Sequence, residues 1–367
     1  MFKNNFWKNK KVFITGHTGF KGTWLSFWLK LLGANVTGYS LKPNSKPSFF
    51  QLINLKSIID KNYIENILDI KKLEYAINKS NCSILFHLAA QPNVRYSYKN
   101  PIETINTNIL GTRNILEIIK SNKKIRSVVI ITTDKVYKNT ETKKYFKEND
   151  KLGGNDIYSA SKACCEIIVD AYRKSFFKEN NIRVATARSG NVIGGGDWTT
   201  DRLVPDCLNS FFKNKKLTIR YPKSIRPWQH VLEPLYGYLL LAEKLFGKDG
   251  IKYIGGWNFG PNKKNNISVL RLAELLKKNT KSKSKVAISK YSTLAESKYL
   301  HLNSEKSKKN LNWNNYLDLN NTLYLTVDWY QNYLNKKKIE DKTKFQIKYF
   351  ESIINEKTKI RDYKKKK

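Results

Sequence analysis

The sequence is short of acid: 30 Asp and Glu stand against 68 Lys and Arg, for a formal net charge of +38. It is also short of arginine, which supplies only 11 of the basic residues. Nucleic-acid readers rely on Arg for bidentate contacts to phosphate and base, and here the lysines are spread along the whole chain among Asn and Ile. The excess charge therefore reads as a solvated basic surface, with no dedicated nucleic-acid face. Its field draws anionic ligands such as nucleotide phosphates. The four cysteines form no CxxC pair and no zinc spacing, and the neighbours Cys164 and Cys165 cannot easily bridge. No metal site is expected, and a reduced, cytoplasmic setting is. No stretch reaches the ~18 apolar residues that span a bilayer, so no membrane partner is expected. The opening MFKNNFWKNK has no apolar run behind it, so a secretory signal is not expected. No internal repeat is visible.

What is present is enough apolar material, 40% hydrophobic and 13% aromatic over 367 residues, for two domains of ordinary size. β-rich runs occur at 11–15 (KVFIT), 35–39 (NVTGY), 83–88, 127–132 (SVVIIT) and 183–187. Between them lie helical patterns: Trp24, Leu25, Trp28, Leu31 and Leu32 on one face, then 71–79, 100–120 and 156–177. Strand and helix alternate at intervals of ~30 residues, the pattern of an α/β, doubly wound Rossmann-type parallel sheet. Past 188 the alternation weakens, which predicts a smaller, more irregular second domain interleaved with the first. From 336 the chain is Lys-rich and helical in pattern, with Lys364–Lys367 as a frayed end.

Three motifs carry chemistry. Gly16-His17-Thr18-Gly19-Phe20-Lys21-Gly22 sits between the first strand and the first helix. Glycines there let the backbone turn tightly and bring a pyrophosphate against free helix N–H groups. The acid that normally meets the adenosine ribose is missing, because the second strand ends Tyr39-Ser40-Leu41-Lys42. On physical grounds the choice between NAD and NADP stays open, and Lys42 suits a 2′-phosphate. Asp69-Ile70 is placed to meet an adenine ring, or Asp69 is simply solvated. In Tyr158-Ser159-Ala160-Ser161-Lys162 the spacing of four sets phenol and ammonium on one helix face, where the positive charge lowers the phenol pKa. Thr132-Thr133-Asp134-Lys135 ends a buried strand, on the side where doubly wound sheets bind ligands. There a hydroxyl, a carboxyl and an amine serve both acid and base steps.

The glycine loop, His87-Leu88-Ala89-Ala90 and the Tyr158/Lys162 pair resemble the extended short-chain dehydrogenase/reductase family, whose members act on nucleotide sugars. GHTGFKGTWL at 16–25, AAQPNVRYSYKNP at 89–101, TTDKVY at 132–137, RSGNVIGGGDW at 188–198, DRLVPD at 201–206 and RPWQHVLEPL at 226–235 resemble its CDP-glucose 4,6-dehydratase branch. The resemblance implies tightly bound NAD, regenerated each turnover, held by Gly16, Thr18, Gly19, Phe20, Lys21, Gly22, Asp69, Ile70, Leu88, Ala89, Ala90, Asn108, Tyr158 and Lys162. It implies catalysis by Thr133, Asp134, Lys135, Tyr158 and Lys162. Gln91, Asn191, Arg202 and Arg226 would grip the nucleotide sugar, while Arg202 pairing with Asp201, and Trp198 or Trp228 as plain core, are the structural alternatives. Asn108 would brace the lysine through backbone or water. The expected domains are 1–187 with a returning segment near 231–260 for NAD, 188–230 and 261–335 for the sugar nucleotide, and 336–367 as a tail. The resemblance also implies a homodimer or dimer of dimers serving deoxysugar synthesis for lipopolysaccharide O-antigen. The alternatives are a dehydratase for a dTDP-, GDP- or UDP-sugar, a 4-epimerase, or a basic nucleic-acid binder without catalysis.

Overall fold

The expected apolar runs become strands because each is short, rich in Val, Ile or Phe, and bounded by Gly, Asn or Ser. In a computed structural model, which describes residues 2, 5–177, 181–289 and 297–366, the strands begin with β1 (Lys11–Thr15), β2 (Asn35–Ser40) and β3 (Lys61–Ile64). They continue with β4 (Ile84–His87), β5 (Ser127–Ile131) and β6 (Arg183–Ser189). β3 escaped the sequence reading: it lies at the sheet edge, and its half-exposed residues KNYI show no alternation. Beyond β6 come β7 (Asn191–Ile193), β8 (Leu217–Ile219) and β9 (Ile225–His230). The chain then returns as β10 (Gly255–Phe259) beside β6, and β11 (Asn266–Ser268) and β12 (Val286–Ile288) follow.

The main sheet is parallel throughout, in the order β10-β6-β5-β4-β1-β2-β3. The order in which strands are added reverses between β1 and β4, and that switch point opens a crevice at the carboxyl ends of the strands. Alternate residues feed two cores. Val12 and Ile14 of β1 face one layer, with Val129 and Ala185, whereas Phe13 faces the other, with Leu85, Val128 and Val184. This is the expected doubly wound α/β fold. The small sheets β11-β9-β7 and β12-β8 stand beyond the carboxyl edge of β6 in sequence.

The helices read from periodicity are present, and helices Leu203–Phe212, Leu232–Phe246, Val269–Asn279 and Leu319–Leu334 add to them. Helix Phe20–Leu31 buries Trp24, Leu25 and Trp28 completely. The 100–120 pattern becomes helix Pro101–Ile105, a π-helical turn at Asn106–Leu110 and helix Gly111–Ser121. Helix Ile157–Tyr172 opens on a capping box between Asp156 and Ser159. The closing helix, Ile339–Lys366, buries Ile347, Phe350 and Ile354 against the body, and the Trp28 indole donates to Glu351 at 2.9 Å. It runs further than the frayed end expected at 364–367, since Lys is a good helix former and cations suit a helix C-terminus; Lys367 lies outside the described residues. All four cysteines are free thiols, and no described helix is long and apolar enough to cross a membrane.

Candidate active site

Two loops meet at the switch point. Gly16, at φ +76°, turns β1 toward helix Phe20–Leu31, and a Cβ there would fall 2.7 Å from the Ala89 nitrogen. A Cβ on Gly22 would lie 2.0 Å from the Gly16 carbonyl, so neither position has room for a side chain. The Thr15 hydroxyl locks the second loop, lying 2.7 Å from His87 Nδ1 and accepting from the Leu88 and Ala89 amides at 3.2 Å. Gly19 starts the helix with no side-chain cap and no acid in its first turn. The result is an uncapped helix end over a glycine cradle, which fits a dinucleotide pyrophosphate. Thr18 lies 2.9 Å from the Ser40 hydroxyl and donates to the Leu41 carbonyl, at the place where an acid was expected. Asp69 caps helix Ile70–Ser80 by accepting from the Lys72 amide, and Ile70 is exposed.

Across the crevice stand the groups with reactive protons. Tyr158 is on the first turn of its helix, and the Thr133 hydroxyl is within hydrogen-bonding reach of both the phenol and Asp134 Oδ1, the latter at 3.1 Å. Asp134 is 2% exposed, and its Oδ2 has no hydrogen-bond partner among the described residues. Lys135 Nζ approaches Asp134 Oδ1 to 3.8 Å. Lys162, one turn after Tyr158, donates to the Ile131 carbonyl at 3.1 Å. Burial pushes the Tyr158 phenol up to about 12, against the Thr133 hydrogen bond and the Arg202 charge, which pull it down. Lys162 itself is engaged by a main-chain carbonyl, and burial lowers its own pKa.

The helix is bolted to the sheet by residues the sequence reading did not single out. Glu166 continues the Tyr158–Lys162 ladder by one more turn and accepts from Thr132 at 2.5 Å, Thr186 at 2.6 Å and Arg188 at 2.8 and 2.9 Å. Arg188 also donates to the Tyr137 hydroxyl at 2.7 Å. The four-residue spacing of 158, 162 and 166 was the available signal. Lys21 was singled out, but its partner was not: Nζ donates to Ser189 Oγ at 2.9 Å. His301, stacked on Tyr145 at 4.8 Å and facing Arg226 and Asp134, lies in a loop that no motif marks.

Among the residues expected to grip the nucleotide sugar, Arg202 pairs with Asp197 at 3.0 Å and not with adjacent Asp201, which turns toward Arg95 and Arg220. Arg226 is buried on β9, and Asn191, at the start of β7, keeps a buried Oδ1 without a partner among the described residues. Gln91 spends its side-chain amide on Asn93 and Thr104. Asn108, in the π-helical turn, binds the Gln91 main chain and Ser161, the residue before Lys162. Trp198 packs on Trp329, Tyr330 and Tyr333, and Trp228 is buried with its indole on the Ile267 carbonyl, so both serve as packing.

Residues 13–326 match the family model described as GDP-mannose 4,6 dehydratase. The chain is 43% identical over 336 residues to a CDP-glucose 4,6-dehydratase of Salmonella typhimurium, covering 90% of this chain and 93% of that one. Its fold resembles a UDP-glucose 4-epimerase of Thermotoga maritima solved with UDP-glucose (TM-score 0.77, 21% identity, 88% of this chain and 99% of that one). It also resembles a dTDP-glucose 4,6-dehydratase of Bacillus anthracis solved with NAD (TM-score 0.74, 22% identity, 90% and 99%).

Proposed function

The chain belongs to the GDP-mannose 4,6-dehydratase family, and from that premise we propose that it converts CDP-glucose to CDP-4-dehydro-6-deoxyglucose. The observation that carries the reading is the convergence of Thr133, Asp134, Lys135 and Tyr158 on one cleft beside the glycine cradle. Likeness to the Salmonella enzyme supports cytidine diphosphate as the carrier.

Gly16, Thr18, Gly19, Phe20, Lys21, Gly22, the Leu88–Ala90 segment, Tyr158 and Lys162 would hold NAD, with Asp69 and Ile70 toward the adenine, and the bound cofactor would supply a reversible hydride acceptor beside the sugar. Tyr158, its phenol drawn down from the level that burial sets by the charge of Lys162 and of the oxidised cofactor that would lie beside it, takes the 4-hydroxyl proton, and Thr133 holds that oxygen. The ketone so formed acidifies the C5–H bond, which is why oxidation precedes water loss. Lys135, once it has given up its own proton, removes the C5 proton. Asp134 protonates the 6-hydroxyl, which departs as water. Arg202 and Arg226 offer planar donor forks to the diphosphate, and Asn191 and Gln91 line the sugar side. Residues 1–187 and 231–260 hold the cofactor in this scheme, residues 188–230 and 261–335 hold the sugar nucleotide, and the tail packs on the body.

The same reading makes the protein a cytoplasmic homo-oligomer in deoxysugar synthesis for lipopolysaccharide O-antigen. Exposed Ile102, Ile105, Leu110 and Ile167 support a subunit contact on the helices beside the active site.

Incubation with CDP-, dTDP-, UDP- and GDP-glucose, followed by the alkaline ultraviolet absorbance of 4-keto products, ranks the substrates. CDP-glucose should lead, and in heavy water the product should carry deuterium at C5. Turnover of another nucleotide sugar with none of CDP-glucose overturns the assignment, and a product epimerised at C4 without loss of water overturns the reaction.

A further inference from the structure

The segment before helix Glu305–Leu311 alternates like a strand: Leu300 and Leu302 go into the core, which turns Tyr299 and His301 to the opposite side. The main chain fixes that register on both flanks. The Ile225 amide of β9 donates to the Lys298 carbonyl at 3.0 Å, and the Phe146 amide donates to the His301 carbonyl at 2.9 Å. The His301 ring is thereby held in a stack 4.8 Å from the Tyr145 ring and 6.3 Å from that of Tyr299. It is 6% exposed, yet its Nδ1 has no hydrogen-bond partner among the described residues. Two further buried atoms lack one there, Asn191 Oδ1 and Asn266 Oδ1, on residues opposite Trp228 and Pro227 of β9, just past Arg226. Buried polar groups are normally paired, so this cluster marks a place for a polar ligand. Arg226 and Asp134 belong to the same wall: a Cβ on Gly190 would fall 2.5 Å from Pro227 Cγ and 3.2 Å from Asp134 Oδ2. The charged groups facing His301 are Arg226 on β9 and Asp134 after β5, while Lys263 lies over the Tyr145 ring and Lys143 over the Tyr299 ring.

We infer that His301 grips the substrate's diphosphate by taking up a proton from solvent as the nucleotide sugar binds, an inference that rests on the dehydratase reading above. In that reading Arg226 offers its fork to the diphosphate and Asp134 reaches the sugar's 6-hydroxyl. A ring facing both lies where phosphate joins sugar. In the chain alone, burial and then the Arg226 charge hold the imidazole below its ordinary pKa, against the pull of Asp134. It is therefore neutral at neutral pH. A diphosphate beside Arg226 offsets the guanidinium and sets negative charge against the ring, which raises the pKa. The imidazolium then donates a charge-assisted hydrogen bond to a phosphate oxygen. Binding and protonation strengthen each other equally. The added affinity is complete below the pKa of the free chain and is lost as pH rises through the higher pKa of the complex.

CDP-glycerol tests this on the full chain, because it carries the diphosphate without a pyranose and does not titrate near neutrality. Its affinity is measured by isothermal titration calorimetry at pH 6 and pH 8 for wild type, His301→Gln and His301→Lys. Wild type should bind about tenfold tighter at pH 6, the gain for a pKa raised by about one unit. Lys21 and Asp206 titrate in the same range, at about 7 and about 6, so the comparison with His301→Gln isolates the imidazole. His301→Gln takes up no proton and should lose the gain, whereas His301→Lys, a fixed cation, should bind tightly at both values. The same ratio of affinities in wild type and His301→Gln overturns the inference. If the variants do not fold, a wild-type affinity that is equal at the two pH values overturns it. So does the absence of any affinity for CDP-glycerol in a protein that turns over CDP-glucose. Affinity for neither CDP-glycerol nor CDP-glucose overturns the CDP reading itself, and the proton uptake with it.

Discussion

At the scale of single residues, the proposed scheme divides the labour between Tyr158 and Lys135, and the two roles can be separated. Tyr158→Phe removes the acceptor of the 4-hydroxyl proton, so C4 oxidation should fall by about 10²–10⁴-fold, with no rise at 340 nm on adding substrate. Lys135→Ala leaves oxidation intact and blocks loss of water, so the 340 nm absorbance should build up and persist. Equal loss of both partial reactions in both variants contradicts the division. The phenol and ammonium were legible from a spacing of four along one helix. The protonation balance was not: burial raises the phenol, while Thr133 and Arg202, 25 residues before and 44 after it in sequence numbering, pull the other way.

At the scale of elements, the Tyr158 helix keeps its aim through the Glu166–Arg188 pair, whose side chains are 3% and 5% exposed. Glu166→Ala strands a buried guanidinium, a loss of ~3–5 kcal/mol that urea denaturation should show. A second buried acid links helix Leu232–Phe246 to the chain before helix Leu319–Leu334. Glu233 accepts from the Tyr316 and Leu317 amides at 2.7 and 2.6 Å, and burial raises its pKa to about 8. Between pH 4.5 and about 8 the folded chain holds a proton that the unfolded chain has released, so this group's contribution to stability falls as pH rises. Glu233→Gln cannot ionise and should lose that slope. Its melting temperature should gain on wild type by several degrees between pH 6 and pH 9. An unchanged gap across that range would show that Glu233 does not carry the proton.

At the scale of the whole molecule, the charge of +38 and the fold make separate demands. Arg188, Arg202 and Arg226 are committed to the interior and the cleft, leaving Lys to make up most of the outer charge. Exposed Ile102, 74% accessible, and Ile167, 56% accessible, break that polar surface. If they form the subunit contact, Ile102→Lys combined with Ile167→Lys should halve the mass seen by light scattering while leaving the far-ultraviolet circular dichroism spectrum unchanged. An unchanged mass places the contact elsewhere or leaves the protein monomeric.

The sequence by itself determined whatever depends on neighbours along the chain. The alternation of strand and helix, the cramped glycines between β1 and its helix, and the Tyr158–Lys162 face are all short-range patterns, set by local sterics and a fixed helical repeat. Only the tertiary structure decided which distant groups share a dielectric. Lys21 reaches Ser189 across 168 residues, and Arg202 passes over its adjacent acid for Asp197. Glu166 and Arg188 close a buried ion pair between a helix and a strand. Burial and charge act through space, and sequence distance does not measure either.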